Sequence, residues 1–200
     1  ARRYLGAAGN LTKGFFIGGF QTLATADRTT YATETTAAVT GANLSAGRYG
    51  LAGASNEDKA FFGGGYTTSF FSTVNRTTFA TETTAAITGT LSLARYNSTG
   101  ISTPHKAFFL GGEKSGAPTN STVVDRINFI NETIEAAASG LNTGRYTAAS
   151  SGDNSKGFTI GGYTSSAELA TAERTTYSTD ATALVSGANY PATNWINAAI

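Results

Sequence analysis

The chain has no cysteine, and among its 200 residues only one histidine, His105, and one tryptophan, Trp195. The missing cysteine removes disulfides and thiolate metal sites and leaves the redox compartment undetermined. A lone histidine in a Thr-Pro-His-Lys turn argues against a zinc centre and against a Ser-His-Asp arrangement, since a catalytic imidazole needs a pocket around it. His105 reads as a solvated turn residue, and no metal or cofactor is expected. Charge is scarce too. Asp, Glu, Lys and Arg make up 14% of residues, against about 25% in ordinary soluble domains. The net charge is +1, and the cations are scattered through the chain without forming a basic stripe, so no nucleic-acid partner is expected. No segment reaches the ~18 apolar residues of a membrane-spanning helix. The chain opens at Ala1 without Met or a signal-like apolar run, as expected of a processed product or an excerpt of something longer.

What the chain does have is repetition. KGFFIGGF from Lys13 returns as KAFFGGGY from Lys59, KAFFLGGE from Lys106 and KGFTIGGY from Lys156, with successive lysines 46, 47 and 50 residues apart. A period of this length is the mark of a repeat architecture. The bulk composition is Gly, Ala, Ser and Thr with scattered aromatics, which disfavours long amphipathic helices and suits pleated sheets.

Each unit resolves into four short strands. The first follows an Arg-Tyr pair and is made of small residues: LGAAG after Arg3, GLAGAS after Arg48, NSTGIS after Arg95 and TAASSG after Arg145. A polar turn leads to the Lys-apolar-Gly-Gly strand, where the glycine pair marks a bulge or a close backbone approach. The third strand centres on Arg28, Arg76, Arg126 and Arg174, with residues alternating in direction as a period of two requires. Three residues beyond its aromatic stands an acid, Glu34, Glu82, Glu132 or Asp180, at a turn into a short outer strand such as TTAAITG. The repeats run approximately 3–47, 48–94, 95–144 and 145–193, and Asn194-Trp195 opens a fifth copy of the first strand over 194–200. Four-stranded antiparallel sheets bury both faces only by packing against one another around an axis. The expected fold is therefore all-β, a single β-propeller domain of four blades, either a closed four-bladed ring or part of a larger propeller.

With these elements in place the pattern resembles the kelch repeat family. The resemblance rests on Arg48 with GLAGAS, on AFFGGGY from Ala60 to Tyr66, and on Phe79 with Thr81 and Glu82. It runs through essentially the whole chain. The outer-strand tryptophan common in kelch repeats is missing from every unit, and the arginine inside the third strand is not part of the usual signature. Short Thr-rich repeats of this type are similar to those in virion and surface proteins of phages and environmental bacteria.

For Arg28, Arg76, Arg126 and Arg174 two readings compete. They could ring one face and grip sugar carboxylates or a partner's acidic patch through bidentate hydrogen bonds. Alternatively each pairs with an acid of its own or the neighbouring blade, and this second reading is favoured because a feature present in every repeat serves packing. The same logic gives Arg3, Arg48, Arg95, Arg145 and the following tyrosines an inter-blade role and places the Phe pairs in the core. Residues that break the repeat point more directly to binding: Phe70 and Phe71 in the loop after the second unit's glycines, and Glu113 and Lys114 in the longest loop. Of six Asn-x-Ser/Thr sequons, Asn10, Asn97 and Asn120 lie nearest turns or strand ends and are the acceptors expected to matter if the protein is glycosylated.

No catalytic apparatus is visible. The sequence points to a non-enzymatic structural and recognition module on an extracellular or virion surface, such as a phage tail fibre or extracellular fibre component. Its expected partners are other protein chains of an assembly, including copies of itself in a homo-oligomer or fibre, or host surfaces. The alternative is a glycan-binding lectin with sites repeated once per blade.

Overall fold

The computed structural model describes residues 2–191 and resolves sixteen strands in four antiparallel sheets. The first sheet is β1 (Gly6–Gly9), β2 (Lys13–Ile17), β3 (Ala26–Thr30) and β4 (Thr35–Ala38). The second is β5 (Ala52–Ser55), β6 (Lys59–Gly63), β7 (Thr73–Thr78) and β8 (Thr83–Thr90). The third is β9 (Thr99–Ser102), β10 (Lys106–Leu110), β11 (Val124–Asn128) and β12 (Ile134–Ala136). The fourth is β13 (Ala149–Gly152), β14 (Lys156–Ile160), β15 (Ala172–Thr176) and β16 (Ala181–Val185). Each sheet pairs its strands in chain order. The only helical turns among the described residues are two 3-10 segments, and no helix is long enough and apolar enough to cross a membrane. The proposed fifth strand, 194–200, lies outside the described residues.

The inner hairpins close by one recurring device. Asn10, Asn56, Thr103 and Asp153 each accept hydrogen bonds from the backbone N–H groups two and three residues on, which ends one strand and starts the next at its lysine. The small residues of β1, β5, β9 and β13 let the four inner strands crowd together. A Cβ on Gly53 would stand 2.1 Å from the Ala7 carbonyl oxygen, and one on Gly100 would stand 2.2 Å from that of Gly53. Outward along each sheet the strand-centre aromatics fill the space between neighbours. Phe15 stacks on Phe79 at 5.6 Å, Phe61 on Phe129 at 5.3 Å and Phe108 on Tyr177 at 5.4 Å, always from the second strand of one sheet to the residue just after the third strand of the next. Fully burying one such phenylalanine stabilises the fold by about 2 kcal/mol.

Of the two roles offered for the glycine pair, the structure shows the close backbone approach, made with a left-handed turn of the chain. Gly18, Gly64, Gly111 and Gly161 take left-handed φ values of 64–73°. A Cβ on Gly18, Gly64 or Gly111 would meet the carbonyl oxygen of Arg48, Arg95 or Arg145 at 2.4–2.6 Å. The second glycine donates its N–H to that same carbonyl, at 3.0 Å from Gly19, 2.9 Å from Gly65 and 2.7 Å from Gly112. Those bonds tie each sheet to the segment that enters the next.

Two polar systems hold the sheets. Arg48, Arg95 and Arg145 are buried inside their own sheets. Arg95 meets Asp125 at 2.7 Å and Arg145 meets Glu173 at 2.7 Å, whereas Arg48 meets no acid among the described residues and donates to the Asn75 amide oxygen and the Gly64 carbonyl, each at 2.7 Å. Burial without an acid pushes the Arg48 guanidinium down to about 10. In the first sheet it is Arg2 and not Arg3 that reaches the equivalent carbonyls and Asp27. The Arg-Tyr dipeptide at residue 3 is one position out of register with the later copies. The alignment is fixed by an eleven-residue spacing from the arginine to the strand lysine, shared by Arg2, Arg48, Arg95 and Arg145.

The second polar system crosses between sheets. Lys13 and Arg28 hold Glu82 at 2.8 and 2.6 Å, and Lys59 and Arg76 hold Glu132 at 2.8 Å each. Lys106 holds Asp180 at 2.8 Å together with Arg126, which also pairs with Glu135. The arginines of the third strands offered above as ligand contacts are thus engaged, in the first three sheets, with the turn acid of the next. Hydrogen bonds from Arg28 and Lys13 keep the Glu82 carboxyl below its usual range; for Glu132, burial raises the value but Lys59 and Arg76 outweigh it.

Candidate functional site

At the end of the axis where the inner strands begin, side chains converge on a cavity of about 760 Å³. The backbone builds it. After each glycine pair the chain turns outward, and the next residue bridges back to the residue that follows the buried arginine: Tyr66 to Tyr49, Glu113 to Tyr96 and Tyr163 to Tyr146. Arg3 and Phe20 take these two places in the first sheet, with Phe20 N–H donating to the Arg3 carbonyl at 2.9 Å. The following residue, Tyr4, Gly50, Asn97 or Thr147, takes a left-handed φ of 54–67° that swings the chain into the inner strand. Their backbones form a ladder around the mouth, Gly50 N–H to Tyr4, Asn97 N–H to Gly50 and Thr147 N–H to Asn97.

The mouth is aromatic. Tyr49 lies 5.7 Å from Tyr66, 6.1 Å from Tyr96 and 5.5 Å from Phe20. Phe70 folds back to lie 5.0 Å from Tyr66 and 5.7 Å from Tyr96. Arg3 sits over the Phe20 ring at 4.2 Å. The polar groups are Arg3, Asn97, Ser98, Thr99, Thr147 and the Glu113 carboxylate, which takes a hydrogen bond from the Tyr96 hydroxyl. Burial first, and then that hydrogen bond, push the Tyr96 phenol above its usual range, and burial with the Glu113 charge does the same for Tyr146. Both phenols therefore stay protonated and remain donors at any ordinary pH.

The structure divides the candidate contacts. Glu113 lines the mouth, and Phe70 packs behind it against Tyr66 and Tyr96. Phe71 instead lies under the buried Arg48, 5.3 Å from its guanidinium carbon, and braces it. Lys114 turns back on its own loop, donating to the Gly116 carbonyl at 3.2 Å. Arg28, Arg76 and Arg126 belong to the inter-sheet pairs; Arg174 is exposed and has no ion pair among the described residues. Of the sequons, Asn10 closes a hairpin, Asn97 lines the mouth, and Asn120 spends its amide N–H on the Gly144 carbonyl at 2.9 Å. His105 is an exposed turn residue. Sequence reasoning gave the tyrosines after each arginine an inter-blade role; what it missed is the left-handed residue that follows each one and turns its ring toward the axis. The aromatic after three of the four glycine pairs was the available signal.

Neither a model of a known family nor a curated protein matches this sequence. Among solved structures, one described as "Structure of YjhT" superposes on 92% of the chain with a TM-score of 0.78 at 10% identity, and the chain spans 65% of that structure's length. The fold is a β-propeller. At such an identity the likeness carries the architecture alone.

The four sheets are its blades, and the other end of the propeller axis is different in character. There a cavity of about 380 Å³ is lined mostly by small residues of all four inner strands, such as Ala8, Ala54, Gly100 and Ser150, with Phe15, Phe16 and Tyr31 of the first blade on one side. Among the described residues no three His, Cys, Asp or Glu side chains gather as a metal site. Aromatic faces with polar groups among them equip the mouth to hold a ligand by stacking and directed hydrogen bonds.

Proposed function

We propose that this propeller is a non-enzymatic recognition module of an exterior assembly, and that its contact surface is the aromatic mouth, which takes surface glycans. The observation carrying this reading is the convergence of Tyr4, Phe20, Tyr49, Tyr96 and Tyr146 on one cavity beside the Glu113 carboxylate and the Asn97 amide, with Tyr66 and Phe70 packed against Tyr49 and Tyr96. Sugar rings present apolar faces that stack on tyrosine and hydroxyls that pair with carboxylate and amide groups, and rigid aromatics lose little side-chain entropy on binding. Because the rings of successive blades meet at the axis, the geometry favours one composite site over a site repeated in each blade. A phage fibre or other extracellular surface is the setting that suits a kelch-like, Thr-rich module of this kind.

A glycan array followed by titration calorimetry tests the reading. The expected result is saturable binding with a stoichiometry of one, weakened about 10-fold or more in Tyr96→Ala, as for an aromatic anchor at the centre of an interface. Binding unaffected by Tyr96→Ala and by Glu113→Gln, or no binding to any glycan, would refute it.

A further inference from the structure

The three interfaces between blades share one design, and the chain carries that design a fourth time with its two halves apart. In each internal interface the earlier blade supplies a lysine and a phenylalanine from its second strand and an arginine from its third. The later blade supplies the aromatic that follows its third strand and the acid three residues on. Lys13, Phe15 and Arg28 meet Phe79 and Glu82 in this way, and the next two interfaces repeat it.

The fourth blade presents the donor half, Lys156, Phe158 and Arg174, with both cations exposed and neither paired among the described residues. Phe158 is half-buried, whereas its counterparts Phe15, Phe61 and Phe108 are fully buried. The first blade presents the acceptor half, Tyr31 and Glu34. Tyr31 is 49% exposed, against 3–5% for Phe79, Phe129 and Tyr177. It already lies over Gly14 as Tyr177 lies over Gly157, so the ring is in place without the partner that Tyr177 has. Phe16 on the same face is 38% exposed, where Phe62 and Phe109 are fully buried. Glu34 keeps the left-handed backbone of the other turn acids, φ 54°, although it has no ion pair among the described residues. Neighbouring blades pack first to second, second to third and third to fourth, and the fourth makes no comparable contact with the first.

The geometry points to a head-to-tail interface between copies of this chain, in which the fourth-blade face of one copy docks on the first-blade face of another. The two faces match in charge, two cations against one carboxylate, and in shape, a phenylalanine against an aromatic that already lies flat. The contact is heterologous, so it propagates into a ring or a filament and does not stop at a symmetric dimer. It does not depend on the glycan reading of the mouth, which lies at the end of the axis and not on these faces.

The test is the association state of the 200-residue chain by analytical ultracentrifugation over a concentration series. Concentration-dependent association is expected. Glu34→Lys alone, or Lys156→Glu with Arg174→Glu, should weaken it about 30-fold or more, as for loss of one side of a desolvated charge pair. An equimolar mixture of the two variants should associate again, because the unaltered fourth-blade face of the first meets the unaltered first-blade face of the second, and the two charge-reversed faces suit each other likewise. All three positions are exposed, and unchanged circular dichroism melts separate loss of association from loss of folding. As a second readout, Tyr31→Cys and Phe158→Cys chains, which contain no other cysteine, should form a mixed disulfide with each other. A wild-type chain that stays monomeric at every concentration overturns the proposal. So does a Tyr31→Cys/Phe158→Cys double variant that closes its disulfide within one chain.

Discussion

Removing the carboxylate from the buried pair of the third blade separates charge pairing from mere hydrogen bonding. Arg95 and Asp125 are both fully buried and 2.7 Å apart. The guanidinium also donates to the Phe109 and Leu93 carbonyls at 2.9 and 3.2 Å, and Asp125 accepts from the Ser92 N–H. Burial already disfavours the Arg95 cation, and Asp125 is what offsets this. Asp125→Ala leaves a buried charge without a counter-ion, which costs about 3–5 kcal/mol. At about 2–4 °C per kcal/mol for a chain of this size, the thermal midpoint should fall by roughly 6–20 °C. Asp125→Asn also removes the counter-ion but keeps an acceptor, so it should cost about 1 kcal/mol less than Asp125→Ala; it recreates what the second blade does naturally with Arg48 and Asn75. Conversely Asn75→Asp should raise the midpoint by giving Arg48 its missing anion. The assay is thermal and urea unfolding followed by far-ultraviolet circular dichroism, with exposed Glu57→Ala as control, expected within about 0.5 kcal/mol of wild type. If Asp125→Ala and Asp125→Asn are indistinguishable, or both match the control, the pair does not act as argued.

Gly100→Ala should destabilise by about 1–3 kcal/mol, because the added methyl would meet the Gly53 carbonyl at 2.2 Å and both partners are backbone. Gly187→Ala, where nothing lies within 4 Å, should be near neutral in the same melts. For the turn acids, folded Glu82 and Glu132 titrate below their usual range, so their stabilisation is present above it and is lost as pH falls through the lowered values. Glu82→Gln and Glu132→Gln should therefore be less stable at neutral pH and show a flatter decline below about pH 5 in acid-unfolding curves; a slope equal to wild type would refute the assignment.

Much of the architecture was legible because each device is local. The Gly-Gly pair after KGFFI and the polar residue three before each lysine act within a few positions of themselves, so a repeated string reports them directly. The register of the first repeat was harder. The Arg-Tyr dipeptide at residue 3 imitates the later copies, while the backbone counts from the lysine and selects Arg2. The inter-blade clamp was only half legible: the arginine and the acid each announce themselves by repetition, but their contact joins residues 54 to 56 apart in neighbouring units. The lysine serves two purposes in the string, as the mark of the period and as the second cation of the clamp, and only the first can be read without the fold. The mouth was least legible, because it is assembled from one or two residues of each blade and has no motif of its own.

The turn acids show how a local rule is broken for a contact made one blade away. Glu34, Glu82, Glu132 and Asp180 all hold φ near 55°, where glycine or asparagine would sit with less strain. The departure from that preference costs about 1 kcal/mol at each corner. A carboxylate, however, accepts from a lysine and an arginine of the preceding blade at once with an anionic charge that glycine or asparagine lacks, and these charge-assisted bonds are partly shielded from water. Strain and contact thus sit on different blades, and the interface has a direction: cations always precede, acids always follow. Among the described residues Glu34 and the pair Lys156 and Arg174 are the acid and the cations left unclamped. Glu34 bears the strain of a clamp whose other half, Lys156 and Arg174, faces away on the fourth blade. A corner kept in that conformation at an exposed position is what a surface built to be covered by the same kind of blade requires.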